Sequence, residues 1–216
     1  MRTRVKICCI ATEEEARLAV SFGAAALGLV AAMPSGPGPI GDDLIRRIAA
    51  AVPPPVATFM LTCATGAEAI IAHHRRTLTN TLQLVDAPEP GACAGIRSAL
   101  PAIKIVQVIH VRSESSLDEA LRAAAQADAL LLDSGNPSLA VKELGGTGRV
   151  HDWRLSRRIV EQSPVPVFLA GGLNAANVRE AIDRVQPFGV DLCSGVRTNG
   201  RLDPEKLEAF FAAVWR

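Results

Sequence analysis

Two side chains in this sequence stand at apparent strand ends, where reactive groups could be placed. Cys8 closes the short run Val5-Lys6-Ile7-Cys8, and Asp133 follows directly on Leu130-Leu131-Leu132. If both runs are strands, each delivers its last residue to a C-terminal strand end. Lys6 shares a strand face with Cys8 by the two-residue period, so its ammonium is a candidate for lowering the thiol pKa. Asp191 ends a further apolar run, Gly189-Val190-Asp191. Each group also has a plainer reading. Cys8 reads equally as a small buried hydrophobe, and Asp133 as a residue capping a loop.

Anion binding has its own candidates. Three glycine-rich turns occur: Gly145-Gly146-Thr147-Gly148, Ala170-Gly171-Gly172-Leu173 and Ser194-Gly195-Val196. Glycine lets backbone N–H groups approach an anion without Cβ obstruction. Any one of these is an ordinary turn when taken singly. If all three meet on one rim, they make a phosphate cradle from Gly146, Thr147, Gly148, Gly171, Gly172, Ser194 and Gly195.

The elements that must position these groups are repeated strand–helix units. Strands are expected over 4–10, 26–32, 56–61, 81–84, 103–111, 129–132, 165–170 and 189–193. Helices are expected from a Thr12 cap with Glu15 as its capping-box partner to about 22, then near 42–51, 66–76, 91–100 and 152–161. Ser116 is read as capping a helix after the fifth strand. Asn174 is read as the next cap, with Leu173 and Val178 as a hydrophobic staple, and Asp203 as the last, with Pro204 at the first helical position. Most strand segments are continuous apolar runs, which suits strands covered on both faces. Eight such units predict an α/β fold, a (β/α)8 TIM barrel spanning 1–216 as a single domain. An open doubly wound sheet would favour a Gly-rich turn after its first strand. The sequence there is Cys8-Cys9-Ile10-Ala11.

Composition narrows the function classes. The chain has 216 residues, within the range of a minimal barrel, and 49% are hydrophobic. With 23 Lys+Arg against 22 Asp+Glu, the net charge of +1 gives no field that would favour nucleic acid or an anionic membrane. The uncharged stretch from 18 to 41 is broken by three prolines and five glycines and reads as a helix-to-strand turn, not a membrane span. Five scattered cysteines without CxxC or zinc spacing, and an N-terminus without signal-peptide layout, suggest a reduced, cytoplasmic protein with no metal. His73-His74-Arg75-Arg76 reads as a solvated helix end.

The ordered set Val5-Lys6-Ile7-Cys8, Gly23-Ala24 with Ala26-Leu27-Gly28, Leu131-Leu132-Asp133, Gly145-Gly146-Thr147-Gly148, Ala170-Gly171-Gly172-Leu173-Asn174 and Gly189-Val190-Asp191 with Ser194-Gly195-Val196 resembles the phosphoribosylanthranilate isomerase family. The resemblance runs in order from Val5 to Val196. It implies an Amadori rearrangement of an N-phosphoribosyl amine to a 1-amino-1-deoxyribulose phosphate, within tryptophan biosynthesis, with no metal or cofactor. It implies Asp133 as the general acid that opens the ribose ring and Cys8 as the general base that removes the C2′ proton. The glycine turns would hold the substrate phosphate. The expected partner is the phosphorylated sugar substrate, with neither nucleic acid nor membrane, and the chain as monomer or homodimer.

The sequence departs from the family at the aglycone side. The family carries an arginine in the loop after strand two, whereas no Lys or Arg occurs here between Arg17 and Arg46. An Arg–carboxylate bond contributes about 1.5–3 kcal/mol. The usual Gln-Leu-His-Gly is Gln83-Leu84-Val85-Asp86, the usual Gly-Ile-Thr after the first cysteine is Cys9-Ile10-Ala11, and the usual Glu after Ser-Gly-Val is Arg197. Lys6, Gln83, Asp191, His110, Arg112 and Arg197 are therefore the further candidates for substrate contact. Arg112 and Arg197 read equally as solvated loop charges. The alternatives are the same barrel acting on a different phosphosugar, as another isomerase, an epimerase or a lyase, and a phosphoribosyl-binding protein without activity.

Overall fold

Eight parallel strands pair in chain order and the last pairs with the first, so the sheet closes. The computed structural model describes residues 2–34, 36–135 and 151–216. The strands are β1 (Arg4–Ile7), β2 (Ala26–Val30), β3 (Ala57–Thr62), β4 (Thr81–Leu84), β5 (Lys104–His110), β6 (Ala129–Asp133), β7 (Val167–Leu169) and β8 (Gly189–Leu192). The helices are α1 (Glu13–Ser21), α2 (Asp42–Ala51), α3 (Ala67–Thr77), α4 (Ala92–Ala99), α5 (Ser115–Ala124), α6 (Trp153–Gln162), α7 (Val178–Val185) and α8 (Pro204–Val214). This is the expected (β/α)8 barrel. At the seam between β8 and β1, Lys6 is in register with Asp191 on one side and Ala26 on the other.

The continuous apolar runs have a physical cause. Alternate strand residues point into the barrel or out against the helices, and both environments exclude water. Leu130 and Leu132 of β6 pack outward with Ile109, Val167, Leu169 and the helices, while Leu131 packs inward with Phe59, Val106 and Phe168. Phe59 and Phe168 meet edge to face at 6.0 Å between ring centres and fill the lower interior. Among the described residues no helix is long and apolar enough to cross a membrane.

Several expected boundaries move. The first strand ends at Ile7 because Cys9 adopts φ 60, which a strand cannot continue through. Helix α5 begins one residue before Ser116, whose hydroxyl instead accepts the N–H groups of Arg112 and Ser113. Asn174 accepts the Ala176 N–H, and its carbonyl the Val178 N–H, but α7 proper starts only at Val178. Leu173 and Val178, the expected staple, are both buried. Thr12 caps α1 by accepting the Glu15 N–H, while the Glu15 carboxylate reaches back to the Ala11 N–H. Asp203 caps α8 with Pro204 at its first position, as expected.

After β8 the chain makes a 3-10 turn, Ser194–Val196, and a small hairpin of β9 (Arg197–Thr198) and β10 (Arg201–Leu202). This hairpin brings Arg197 back over the end of β1.

Candidate active site

The C-terminal ends of the strands surround a cavity of roughly 730 Å³, counting its open mouth. Cys8 and Asp133 both line it, with Gln83, Asp191, Gly171, Gly172 and Ser194. Residues more than a hundred positions apart in the chain thus share one enclosure, because each ends a strand of the same closed sheet.

Beneath them lies a buried ion pair. Lys6 Nζ donates to Asp191 Oδ1 at 2.9 Å, and no part of the lysine side chain is exposed. Burial alone would lower the Lys6 pKa, but Asp191, Cys8 and the hydrogen bond reverse that and hold the ammonium above the ordinary lysine value. Burial raises the Asp191 carboxyl against the pull of Lys6. Of the two directions, the lysine shift follows from the enclosed 2.9 Å contact, which favours the charged pair. The ammonium also sits 5.3 Å from the centre of the Phe59 ring.

Gly28 makes this arrangement possible. A Cβ there would lie 2.7 Å from Cys8 Sγ and 3.0 Å from Lys6 Nζ, so the thiol and the ammonium share the space that a side chain would fill. The cation is therefore adjacent to the thiol, as the strand periodicity predicts.

Asp133 is shaped differently. Burial pushes its carboxyl up to about 6, helped by the nearby Asp191 charge and opposed by the Ser134 N–H and Lys6. The Ser134 N–H donates to Oδ1 at 2.7 Å. A carboxyl with this pKa still carries a proton in part of the population near neutrality, as a general acid must.

The described anion turns also converge. Gly171 and Gly172 have φ of +87 and +65, which only glycine adopts without strain. A Cβ on Gly195 would lie 2.1 Å from the Leu173 carbonyl oxygen, so the loops after β7 and β8 touch there. Asn177 donates to the Gly172 carbonyl and fixes that turn. Gly146, Thr147 and Gly148 lie outside the described residues.

The remaining candidates separate. The Gln83 Oε1 atom is buried and has no partner among the described residues. His110 is buried, its pKa is lowered by burial, and its Nε2 contacts the Val85 carbonyl at 3.2 Å. His110 is not part of the cavity wall. Arg112 lines a different cleft, with Ser134, His151 and Asp152. Arg197 pairs with Glu15 at 2.8 Å and donates to the carbonyls of Cys9 and Gly200, so its guanidinium is engaged in fastening the hairpin. Among the described residues lining the cavity there is no arginine or lysine. Val30, Met33 and Pro37 form an apolar side.

Sequence reasoning overlooked Cys9 and Cys193, which also line the cavity. The signal was present in Cys9, which occupies a position where the family has glycine and where the backbone is left-handed.

A closed parallel barrel whose C-terminal mouth gathers a thiol, a raised carboxyl and glycine turns has the architecture of a (β/α)8-barrel enzyme. Residues 82–213 match the family model described as N-(5'phosphoribosyl)anthranilate (PRA) isomerase. The N-(5'-phosphoribosyl)anthranilate isomerase of Methanocella arvoryzae is 34% identical over 199 residues, covering 92% of this chain and 91% of its own. That of Halobacterium salinarum is 35% identical over 212 residues, covering 97% and 94%. The crystal structure of the Thermotoga maritima phosphoribosyl anthranilate isomerase superposes with a TM-score of 0.83 at 31% identity, with 98% of each chain covered. The chain belongs to the phosphoribosylanthranilate isomerase family.

Proposed function

We propose that this chain converts N-(5'-phosphoribosyl)anthranilate into 1-(o-carboxyphenylamino)-1-deoxyribulose 5-phosphate, an aldose–ketose isomerisation of tryptophan biosynthesis. One observation carries the assignment of roles: Cys8 and Asp133 open into one cavity, and the carboxyl is pushed to about 6. A related barrel superposing with a TM-score of 0.81 was crystallised with the reduced form of that product.

Asp133 gives its proton to the ribose ring oxygen. The C1′–O bond breaks, and the amine nitrogen's lone pair forms the C1′=N double bond of a protonated Schiff base. Cys8 then removes the C2′ proton. The released pair makes C1′=C2′ and returns electrons to nitrogen, giving an enolamine that tautomerises to the ketose. Oxidation at C2′ balances reduction at C1′ within one molecule, so the reaction requires no external redox partner. Lys6 supports the base by supplying positive charge beside Sγ, and its tether to Asp191 keeps it there. Gln83 Oε1 accepts a substrate hydroxyl. Gly171, Gly172, Ser194 and Gly195 present backbone N–H groups to the phosphate, and Gly146, Thr147 and Gly148, outside the described residues, are the remaining phosphate-binding candidates. The apolar side formed by Val30, Met33 and Pro37 takes the aromatic ring.

In this reading the enzyme is cytoplasmic, acts on a small phosphorylated sugar without metal or cofactor, and works as a monomer or homodimer. The test is the loss of anthranilate fluorescence on turnover. Cys8→Ala and Asp133→Asn should each lower kcat by at least about a hundredfold, the scale of a lost general acid or base, while inorganic phosphate still binds. Near-full rates in either variant would remove that residue from the mechanism. Phosphoribosyl amines without a carboxylate, assayed beside the anthranilate compound, measure how much of the binding comes from the aglycone's charge.

A further inference from the structure

The backbone just past β1 is strained and is held by side chains far away in the chain. The ladder from β1 to β2 stops at Ile7, and Cys9 then turns left-handed at φ 60. A residue with a side chain keeps that conformation only where its surroundings enforce it. Arg197 supplies the enforcement. Its Nη2 donates to the Cys9 carbonyl at 2.6 Å and, with a longer contact, to the Cys8 carbonyl at 3.4 Å. The same guanidinium grips both oxygens of the Glu15 carboxylate, at 2.8 and 3.1 Å. Glu15 also accepts the Leu202 N–H at 3.0 Å and the Ala11 N–H at 2.9 Å. Burial works against the Glu15 carboxyl, yet Arg197 and these two N–H groups hold its pKa below the ordinary value. One bidentate pair therefore ties α1 and the hairpin to the two peptides that follow Cys8 and Cys9.

We propose that Arg197, held in place by Glu15, is a positioning residue for the reaction: it fixes the backbone that aims the Cys8 thiol at the substrate. The role rests on the isomerase reading with Cys8 as base. Cys8 is already fixed on two sides. Its N–H donates to the Leu192 carbonyl at 2.8 Å, and its Sγ occupies the room left by Gly28. The peptide that follows Cys8 is the remaining freedom, and the guanidinium bonds the carbonyls at both ends of the left-handed residue.

An arginine that merely fastened the hairpin would leave a different signature. Arg197 directly follows the Ser194–Val196 turn, so a loosened hairpin would disturb the phosphate side first and raise KM. A loosened end of β1 would instead misplace the thiol and lower kcat, because a displacement of about 1 Å can cost a hundredfold in rate.

The experiment measures kcat and KM on N-(5'-phosphoribosyl)anthranilate, and the iodoacetamide labelling rate of each cysteine by mass spectrometry. Arg197→Met should lower kcat about ten- to a hundredfold while KM stays within about threefold of wild type. Glu15→Gln combined with Arg197→Met leaves no unpaired buried carboxylate, so it serves if the single variant does not fold, and should show the same split. In both, Cys8 should label at least about fivefold faster, while Cys93, buried on α4, labels at the wild-type rate. Thr198→Val removes the bond from Thr198 Oγ1 to Asp203, loosening the hairpin without touching β1, and should keep kcat within about twofold. Retained kcat with a raised KM, unchanged Cys8 labelling in the double variant, or equal acceleration at Cys93 would overturn the proposal. If the wild-type protein turns over no substrate, the isomerase reading fails, and the labelling rates still decide whether Arg197 holds Cys8.

Discussion

Asp133 is held in a position that suits a proton donor and burdens the fold. Its folded pKa of about 6 lies above the ordinary 3.8, so the native state binds this proton more tightly than the unfolded chain does. The resulting stabilisation is complete below about pH 4 and is lost as pH rises through 6. Above pH 7 the buried carboxylate then costs the native state on the order of 1–3 kcal/mol. Asp133→Asn keeps the oxygen that accepts the Ser134 N–H and removes the ionisation. Urea denaturation should show the variant more stable than wild type by that amount at pH 8, and the gap should close at pH 4. A gap independent of pH would place the carboxyl in a solvated environment. In the sequence Asp133 was legible only as a carboxylate after an apolar run, with the proposed proton-donor role implied by the family resemblance. Its raised pKa was not, because it comes from strands that enclose it from all round the barrel.

At the scale of the strand, spacing carried more than boundaries did. The two-residue period placed Lys6 beside Cys8, and the ion pair to Asp191 follows from the register of two neighbouring strands. Strand ends were less legible, since one left-handed residue at Cys9 stops β1 and a serine bonding outward shifts the start of α5. Neither event has a signal in hydrophobic periodicity. The role of Gly28 was invisible for the same reason: a missing side chain on β2 makes room for two on β1. Gly28→Ala should displace Sγ, because its Cβ meets both Cys8 Sγ and the Cys8 Cα, at 2.7 Å and 3.0 Å. We expect a folded protein that is less stable by about 1–3 kcal/mol and slower by about ten- to a hundredfold. A wild-type rate in this variant would show that the thiol's position is not critical.

For the whole molecule, closure was readable and its fastenings were not. Eight apolar runs with helical segments between them specify the barrel, whereas the contact between its first and last loops depends on single polar residues 182 positions apart. Arg197 was read as a possible substrate cation. It is in fact clasped by Glu15, with side chains only 8% and 12% exposed, and it bonds the carbonyl of Cys9. Arg197→Ala leaves that carboxylate nearly buried and unpaired, which typically costs about 3–5 kcal/mol. Thermal unfolding should reflect this as a fall of roughly 6–20 °C for a chain of this size. A shift within error would mean that solvent replaces the guanidinium freely.

The span between Lys6 and Asp191 bears on how the chain is made. During synthesis the lysine is made 185 positions before its partner. Until then an ammonium destined for a dry interior has no counter-charge there, so a native-like enclosure around it is disfavoured. The growing polypeptide must keep that lysine hydrated on the ribosome, and the cylinder can seal only after Asp191 has been made.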